Sequence, residues 1–104
     1  MVSQMIYQIG DTIEVLGTGG LYSNYTDMAK KLEIYDIWHH KHNVKGYNLK
    51  KGDKGKIINF GYHLNNGKEM IYAILVEPYA YLISWNCVKL VESFCFFTKE
   101  EFIL

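Results

Sequence analysis

The sequence lacks arginine altogether, and it contains one proline, two cysteines and no hydrophobic run long enough to span a membrane. Arginine is the side chain that most often binds guanine and phosphate in a bidentate manner. Its absence makes a nucleic-acid-binding role less favoured. Cys87 and Cys95 are too few for a secreted disulfide scaffold, and we expect both to be reduced thiols. A Cys87–Cys95 disulfide would require an oxidising compartment.

The N-terminal residues lack the basic region and apolar core of a signal peptide, so we expect a cytoplasmic protein with no membrane association. A length of 104 residues predicts one domain. A hydrophobic fraction of 49%, with 9 Tyr, 5 Phe and 2 Trp, excludes intrinsic disorder.

No arrangement of residues typical of catalysis is present, which predicts a non-enzymatic protein without a cofactor. Ser84 and Ser93 lack the glycine elbow of a serine nucleophile, and the adjacent Glu100 and Glu101 would diverge on a helix. The histidines at positions 39, 40 and 42 form the most metal-like cluster, but the chain lacks the CxxC pairs of structural zinc sites. We interpret them as a polar helix end, where histidine complements the helix dipole, and predict no metal site.

The hydrophobic pattern predicts a mainly β fold. Ile13 and Val15 alternate with polar residues in a first strand, and a helix near residues 25–38 follows an N-cap at Asn24. Further strands are predicted at residues 56–60, 70–77, 81–84 and 88–91, with an Asn65–Asn66–Gly67 turn and a short helical bend at residues 85–87. The third of these five strands is apolar on both faces, which is typical of a strand covered on both sides. The pattern favours a small SH3-like, partly open antiparallel barrel with one inserted helix, and an OB-like barrel is the alternative.

We assign the barrel to residues 1–92 and a separate apolar C-terminal extension to residues 93–104. An extension this apolar is expected to pack on the domain, to form an extra edge strand, or to dock into a partner, which includes a second copy in a homo-oligomer. The side chains that would do so are Phe94, Phe96, Phe97 and Phe102.

The zero net charge conceals a polarised distribution. Residues 41–56 hold six of the 11 lysines and one acidic residue, a net charge of +5 that leaves −5 on the rest of the chain. Lysines interspersed with aromatic residues suit an acidic protein face or a nucleic acid. The candidate binding residues in or beside this segment are Trp38, Lys41, Lys45, Tyr47, Lys50, Lys51 and Lys54.

Two further groups of residues are candidates for binding. Tyr22 and Tyr79, like Tyr47, are expected to be exposed, and tyrosine suits interfaces because it combines a large area with a polar tip. Tyr25 and Tyr72 are expected in the core. Gly19 and Gly20 precede the predicted helix, and their backbone N–H groups would suit contact with a phosphate.

Several motifs resemble those of a known group of proteins. They are Gly10-Asp11-x-Ile13-x-Val15, Thr18-Gly19, Tyr22-x-x-Tyr25, Gly52-Asp53-x-Gly55-x-Ile57, Tyr72-x-Ile74, Tyr81-Leu82-Ile83 and Val88-x-Leu90-Val91. Over residues 9–92 the chain resembles small SH3-like accessory proteins of phages and prophages of low-GC Gram-positive bacteria. The abundance of Lys, Asn, Ile and Tyr fits such an AT-rich genome.

The resemblance implies a non-enzymatic phage accessory protein that inhibits a host defence system by binding a host protein, as anti-CRISPR proteins do. Two alternatives stay open. The protein would be a sponge that sequesters a nucleotide immune signal, or a nucleic-acid-binding module that uses residues 41–56.

Overall fold

Six antiparallel strands in one sheet organise the structure, a computed structural model that describes residues 7–39 and 49–93. Two short 3-10 helices, Tyr35–Ile37 and Trp85–Cys87, accompany one α-helix, α1 (Thr26–Lys31). The strands are β1 (Thr12–Val15), β2 (Leu21–Tyr22), β3 (Lys54–Tyr62), β4 (Met70–Val76), β5 (Tyr79–Ser84) and β6 (Val88–Glu92).

The sheet curves into a partly open barrel. The order of the described strands is β2-β5-β4-β3-β1-β6, so that β2 and β6 lie at the two edges among them. The nine-residue β3 pairs with β1 over its first residues and with β4 along most of its length. A β-bulge between Ile57 and Asn59 shifts the β3–β4 register, and such bulges bend the strand that carries them. The predicted mainly β, partly open antiparallel architecture is confirmed.

Two hydrophobic cores lie on opposite sides of β4 and β5. Alternate residues of β4 belong to different cores, Tyr72 and Ile74 to the first and Ile71 and Ala73 to the second, because successive side chains of a strand point to opposite faces. The first core also contains Ile13, Val15, Leu49, Ile57, Met70, Tyr81, Ile83 and Val88. The second contains Met28, Ala29, Leu32, Ile34, Trp38, Ala80 and Leu82. The prediction that β4 is covered on both sides is confirmed.

Several strand boundaries differ from the prediction, and β3 extends two residues beyond the predicted 56–60 at each end. The two-residue β2 was not predicted, because two residues are too few for an alternating pattern. Strand β5 begins at Tyr79 rather than Tyr81, directly after the Glu77–Pro78 turn. The short helix at Trp85–Cys87 is confirmed.

The inserted helix is shorter than predicted. It ends at Lys31 instead of extending to residue 38, because the chain turns into a Schellman motif. Ile34 N–H donates to the Ala29 carbonyl at 2.9 Å and Glu33 N–H to that of Lys30 at 3.1 Å. Glu33 adopts a left-handed φ of 62°, and Ile34 then enters the second core.

The N-cap prediction was also wrong. Tyr25, not Asn24, occupies that position, and it makes no side-chain capping bond. The acidic residue expected in the first turn, Asp27, is present.

Part of the predicted sites lies outside the described residues. This applies to Lys41, Lys45, Tyr47, His40, His42, Cys95 and the phenylalanines of the C-terminal extension, Phe94, Phe96, Phe97 and Phe102. The roles of these residues stay predictions. Within residues 7–39 and 49–93, no helix combines the length and the hydropathy needed to cross a lipid bilayer.

The close approach of β3 to β4 is testable at Gly55. A Cβ atom at this position would lie 2.5 Å from the Leu75 carbonyl oxygen and 2.6 Å from Val76 Cγ2. We therefore expect Gly55→Ala to lower the free energy of unfolding by about 1–3 kcal/mol, measured by denaturant titration. Gly17→Ala is the matched control, because a Cβ there meets nothing within 4 Å. Equal stability of the two variants would show that the strands tolerate the extra atom.

The left-handed residue at the end of α1 provides a second test. Glycine adopts a positive φ without the steric cost that Glu33 carries. Glu33→Gly should therefore raise the free energy of unfolding by about 0.5–1 kcal/mol, whereas Lys31→Gly, inside the same helix, should lower it by a similar amount. Destabilisation by both glycines, in the same denaturant titration, would contradict the Schellman assignment.

Candidate functional site

Two adjacent cavities open where β2, the end of β5 and the β3–β4 turn meet. The first, about 380 Å³, is lined by Gly19, Gly20, Glu69, Ser84, Asn86 and Cys87. The second, about 410 Å³, is lined by Ser23, Asn24, Tyr25, His63 and Asn65. Leu21 and Tyr22 line both. We call the two cavities together the tyrosine groove.

The pairing of β2 with β5 positions one wall of the groove. Leu21 lies opposite Ile83 and Tyr22 opposite Leu82, and Ser84 N–H donates to the Gly20 carbonyl at 2.9 Å. A Cβ atom on Gly20 would lie 2.7 Å from Ser84 Cβ and 2.8 Å from Cys87 Sγ. Glycine at this position therefore allows the loop before β2 to pass directly over the end of β5.

The β3–β4 turn positions the opposite wall. His63 N–H donates to the Glu69 carbonyl at 2.8 Å, and Gly67 N–H donates back to the His63 carbonyl at 2.8 Å. Gly67 has a φ of 65°, which glycine adopts readily. The turn predicted at residues 65–67 is confirmed, and it places Glu69 and His63 beside each other at the groove.

A half-buried carboxylate lies in the first cavity. Tyr22 Oη donates to Glu69 Oε1 at 3.1 Å, and Ser84 Oγ donates to Glu69 Oε2. Burial, followed by the negative charge of Glu69, raises the pKa of Tyr22, so that its hydroxyl stays protonated and remains a donor. The two ion pairs between described residues, Lys50–Asp53 and Lys89–Glu14, do not include Glu69.

Three rings form the wall of the second cavity. The Tyr25 and His63 ring centroids are 5.1 Å apart, those of Tyr22 and Tyr25 are 5.5 Å apart, and Tyr22 lies 6.0 Å from His63. His63 Nδ1 accepts the Asn65 N–H at 3.2 Å and lies 3.3 Å from Tyr25 Oη. Because a backbone N–H can only donate, Nδ1 is an acceptor and the Tyr25 hydroxyl donates to it. The Tyr25 oxygen in turn accepts the Leu64 N–H at 3.0 Å.

Some of the predicted aromatic residues lie in the groove and others do not. Tyr22 is in it, half-buried rather than exposed. Trp38 is only 2% exposed and packs in the second core, so the prediction that it lies on a binding surface needs correction. Tyr79 is half-buried at the start of β5, where its ring is 5.8 Å from that of His39. Of the two predicted core tyrosines, Tyr72 is fully buried and Tyr25 is half-buried against the second core.

The structure separates the predicted glycines from the described lysines. Gly19 and Gly20 line the first cavity, but none of the lysines that the structure describes lines either cavity. Lys50, Lys51 and Lys54 are exposed around the start of β3, where Lys50 Nζ lies 3.8 Å from Asp53 Oδ1. The turn that contains His63 follows the opposite end of β3. At roughly 3.3 Å per residue, the first and last residues of this nine-residue strand are about 26 Å apart.

Glu69, His63 and Ser84 were not predicted as site residues. The Asn65–Gly67 turn is the one local signal that could have placed residues 63 and 69 near each other, and no local pattern connects Glu69 to Tyr22, 47 positions earlier. His39 stacks on Tyr81 at 5.0 Å, and within the described ranges no three His, Cys, Asp or Glu residues cluster in a way that would hold a metal. Cys87 carries a free thiol.

The chain was compared with protein-family models, curated proteins and solved structures, and none of them matched. What the groove binds is therefore inferred from its own residues.

The contact between Glu69 and Tyr22 predicts a change in titration. Glu69→Gln removes the negative charge and keeps an acceptor of similar size, so the pKa of Tyr22 should fall towards its ordinary value of 10.0. It should stay above that value because burial is the larger cause. The measurement is an NMR titration of the Tyr22 ring carbon that bears the hydroxyl.

Glu77→Gln is the control for this titration, because Glu77 is exposed in the turn between β4 and β5. It should leave the Tyr22 titration unchanged. An unchanged Tyr22 pKa in Glu69→Gln would mean that the carboxylate does not act on this hydroxyl.

Proposed function

We propose that this chain is a non-enzymatic binding module that docks a protein partner in the tyrosine groove. The observation that carries the proposal is the three-ring wall of Tyr22, Tyr25 and His63, which intramolecular hydrogen bonds hold in place. Tyrosine is enriched among the residues that dominate binding energies, and a preorganised surface loses little conformational freedom on binding.

The polar groups of the groove support a binding role over a catalytic one. Ser84 Oγ is bound to Glu69, and His63 Nδ1 accepts from Tyr25 and Asn65. A serine nucleophile is usually activated by a histidine whose acceptor nitrogen is directed at the hydroxyl, because a carboxylate alone, such as Glu69 beside Ser84, is a weak base towards it. Here these groups bind structural partners instead.

The biological setting is proposed from the sequence resemblance over residues 9–92. It favours an accessory protein of a phage or prophage that acts in the cytoplasm of a Gram-positive host. There the protein would block a host defence protein by occupying one of its surfaces. Homo-oligomerisation through the C-terminal extension stays a prediction, because that segment lies outside the described residues.

The charge of the groove favours a protein partner over a nucleotide. Gly19 and Gly20 do lie beside an aromatic ring, as a nucleotide sponge would need, but Glu69 places a negative charge in the same cavity. A polyanionic phosphate would be repelled there, and no described lysine lines the cavity to offset the repulsion. The nucleic-acid alternative uses the segment 41–56, in which Lys41 and Lys45 lie outside the described residues, whereas Lys50, Lys51, Lys54 and Lys56 are exposed and line neither cavity.

The test compares capture of host proteins by groove and control variants. Immobilised protein is incubated with lysate of a low-GC Gram-positive bacterium, and the bound proteins are quantified by mass spectrometry. A partner retained by the wild type should be lost by at least about tenfold with Tyr22→Ala, the typical effect of removing a dominant interface ring. Tyr35→Ala is the matched control, because Tyr35 is 40% exposed and lies outside the groove.

Two further measurements make the comparison decisive. Tyr22→Phe keeps the ring but loses the bond to Glu69, and it should retain most of the capture; thermal unfolding checks that each variant is folded. Equal capture by wild type, Tyr22→Ala and Tyr35→Ala would refute the groove as the docking site. If nucleotides raised the melting temperature of a chain that captured no protein, the sponge would be favoured instead.

A further inference from the structure

The carboxylate of Glu69 retains both charge and acceptor capacity. Its two hydrogen-bond donors within residues 7–39 and 49–93, Tyr22 Oη and Ser84 Oγ, are neutral hydroxyls, so they orient the carboxylate without cancelling its charge. An ionised carboxylate offers about four acceptor positions, of which these two bonds use two. Glu69 is half-buried, and neither ion pair between described residues involves it. An oriented negative charge in a cavity attracts a cation more strongly than an exposed one, because water screens it less.

The surroundings of Glu69 suit an organic cation at the end of an aliphatic chain. Tyr22 lines both cavities, and its ring begins the aromatic wall that continues through Tyr25 and His63. Ring faces attract ammonium and guanidinium groups within about 6 Å, and they also pack against the methylene groups that precede such a cation. A volume of about 380 Å³ lies in the range of sites that take a small group.

We propose that the first cavity of the tyrosine groove receives a lysine or arginine side chain of the protein partner. The cation would pair with Glu69, and its methylene groups would pack against the Tyr22 ring. This inference rests on the proposed function and specifies the chemistry of the partner. It differs from what the basic segment 41–56 predicts, which is an acidic partner surface.

Access to the cavity fits this assignment. Strand β2, which carries Tyr22, lies at one edge of the sheet that the described residues form. Asn86 is exposed at the first cavity and Asn65 at the second. A partner segment lying along this edge would place one basic side chain beside Glu69 without displacing a strand.

The experiment uses capped tripeptides with glycine at both ends and lysine, arginine, norleucine or glutamate in the centre, with AMP as the nucleotide probe. Each is titrated into the full chain, and backbone amide shifts are followed by NMR. The lysine or arginine peptide should shift the amides of Gly20, Tyr22 and Glu69 in a saturable manner. The norleucine and glutamate peptides should leave these amides unchanged at the same concentrations.

Glu69→Gln should weaken binding of the basic peptide at least tenfold, while Glu77→Gln, which removes an exposed charge at the opposite end of β4, should not. Saturable shifts by the norleucine peptide, equal weakening by both variants, or no groove shifts with either basic peptide would each overturn the proposal. Groove shifts by AMP that match or exceed those of the basic peptides would overturn it in favour of a nucleotide.

The capture assay separates this inference from the proposed function. If Tyr22→Ala loses the host protein but Glu69→Gln keeps it, the groove docks a protein. The proposal that the cavity receives a lysine or arginine side chain is then wrong. If neither variant changes capture, the proposed function itself fails.

Discussion

The burial of β4 and β5 on both faces is the constraint on which the rest of the structure depends. Their side chains alternate between two cores, one inside the curved sheet and one beneath α1 and the Tyr35–Ile37 helix. Neither core is large, and each would lose several of its members if the β4–β5 register slipped by one residue, because such a slip reverses the two faces. The antiparallel pairing from Ile71–Ser84 to Val76–Tyr79 therefore positions both halves of the molecule.

The tyrosine groove follows from that pairing. Strand β5 ends at Ser84 beside the start of β4, and this places Ser84 Oγ against Glu69. Strand β2 then pairs with the end of β5 and adds Tyr22 to the same carboxylate. Leu21 packs against the first core and Tyr22 against the second, so the two residues of β2 connect the cores at the edge where the groove opens.

Local periodicity predicted the parts of the fold in which burial alternates along the chain. Ile13 and Val15 defined β1, and the continuous apolar run of β4 correctly indicated a strand covered twice. The end of α1 was not predictable in this way, since Glu33 takes a left-handed conformation without the glycine that usually marks one. The basic run that follows Trp38 favours a surface position for this residue. Its burial in the second core depends on tertiary packing, which the local sequence does not encode.

The candidate site was predictable only in part for a related reason. Tyr22 was identified by residue type, and Gly19 and Gly20 by their place before a helix. Glu69 carries no signal in its own segment, because its role depends on residues from β2 and β5 that the folded sheet brings to it. The negative charge of the groove thus arises from the tertiary fold, and it is opposite in sign to the charge of the lysine-rich segment 41–56.

The close contact at Gly20 affects how this surface can diverge. The position admits no side chain without moving Ser84 or Cys87, so this wall of the groove has little freedom to vary. Across from it, Asn65 lies exposed in the β3–β4 turn, and exposed turn positions generally tolerate polar exchanges. Related chains that recognise different partners should therefore differ on the β3–β4 turn and keep the β2 side constant. The β2 wall would then be invariant, and the turn would determine specificity.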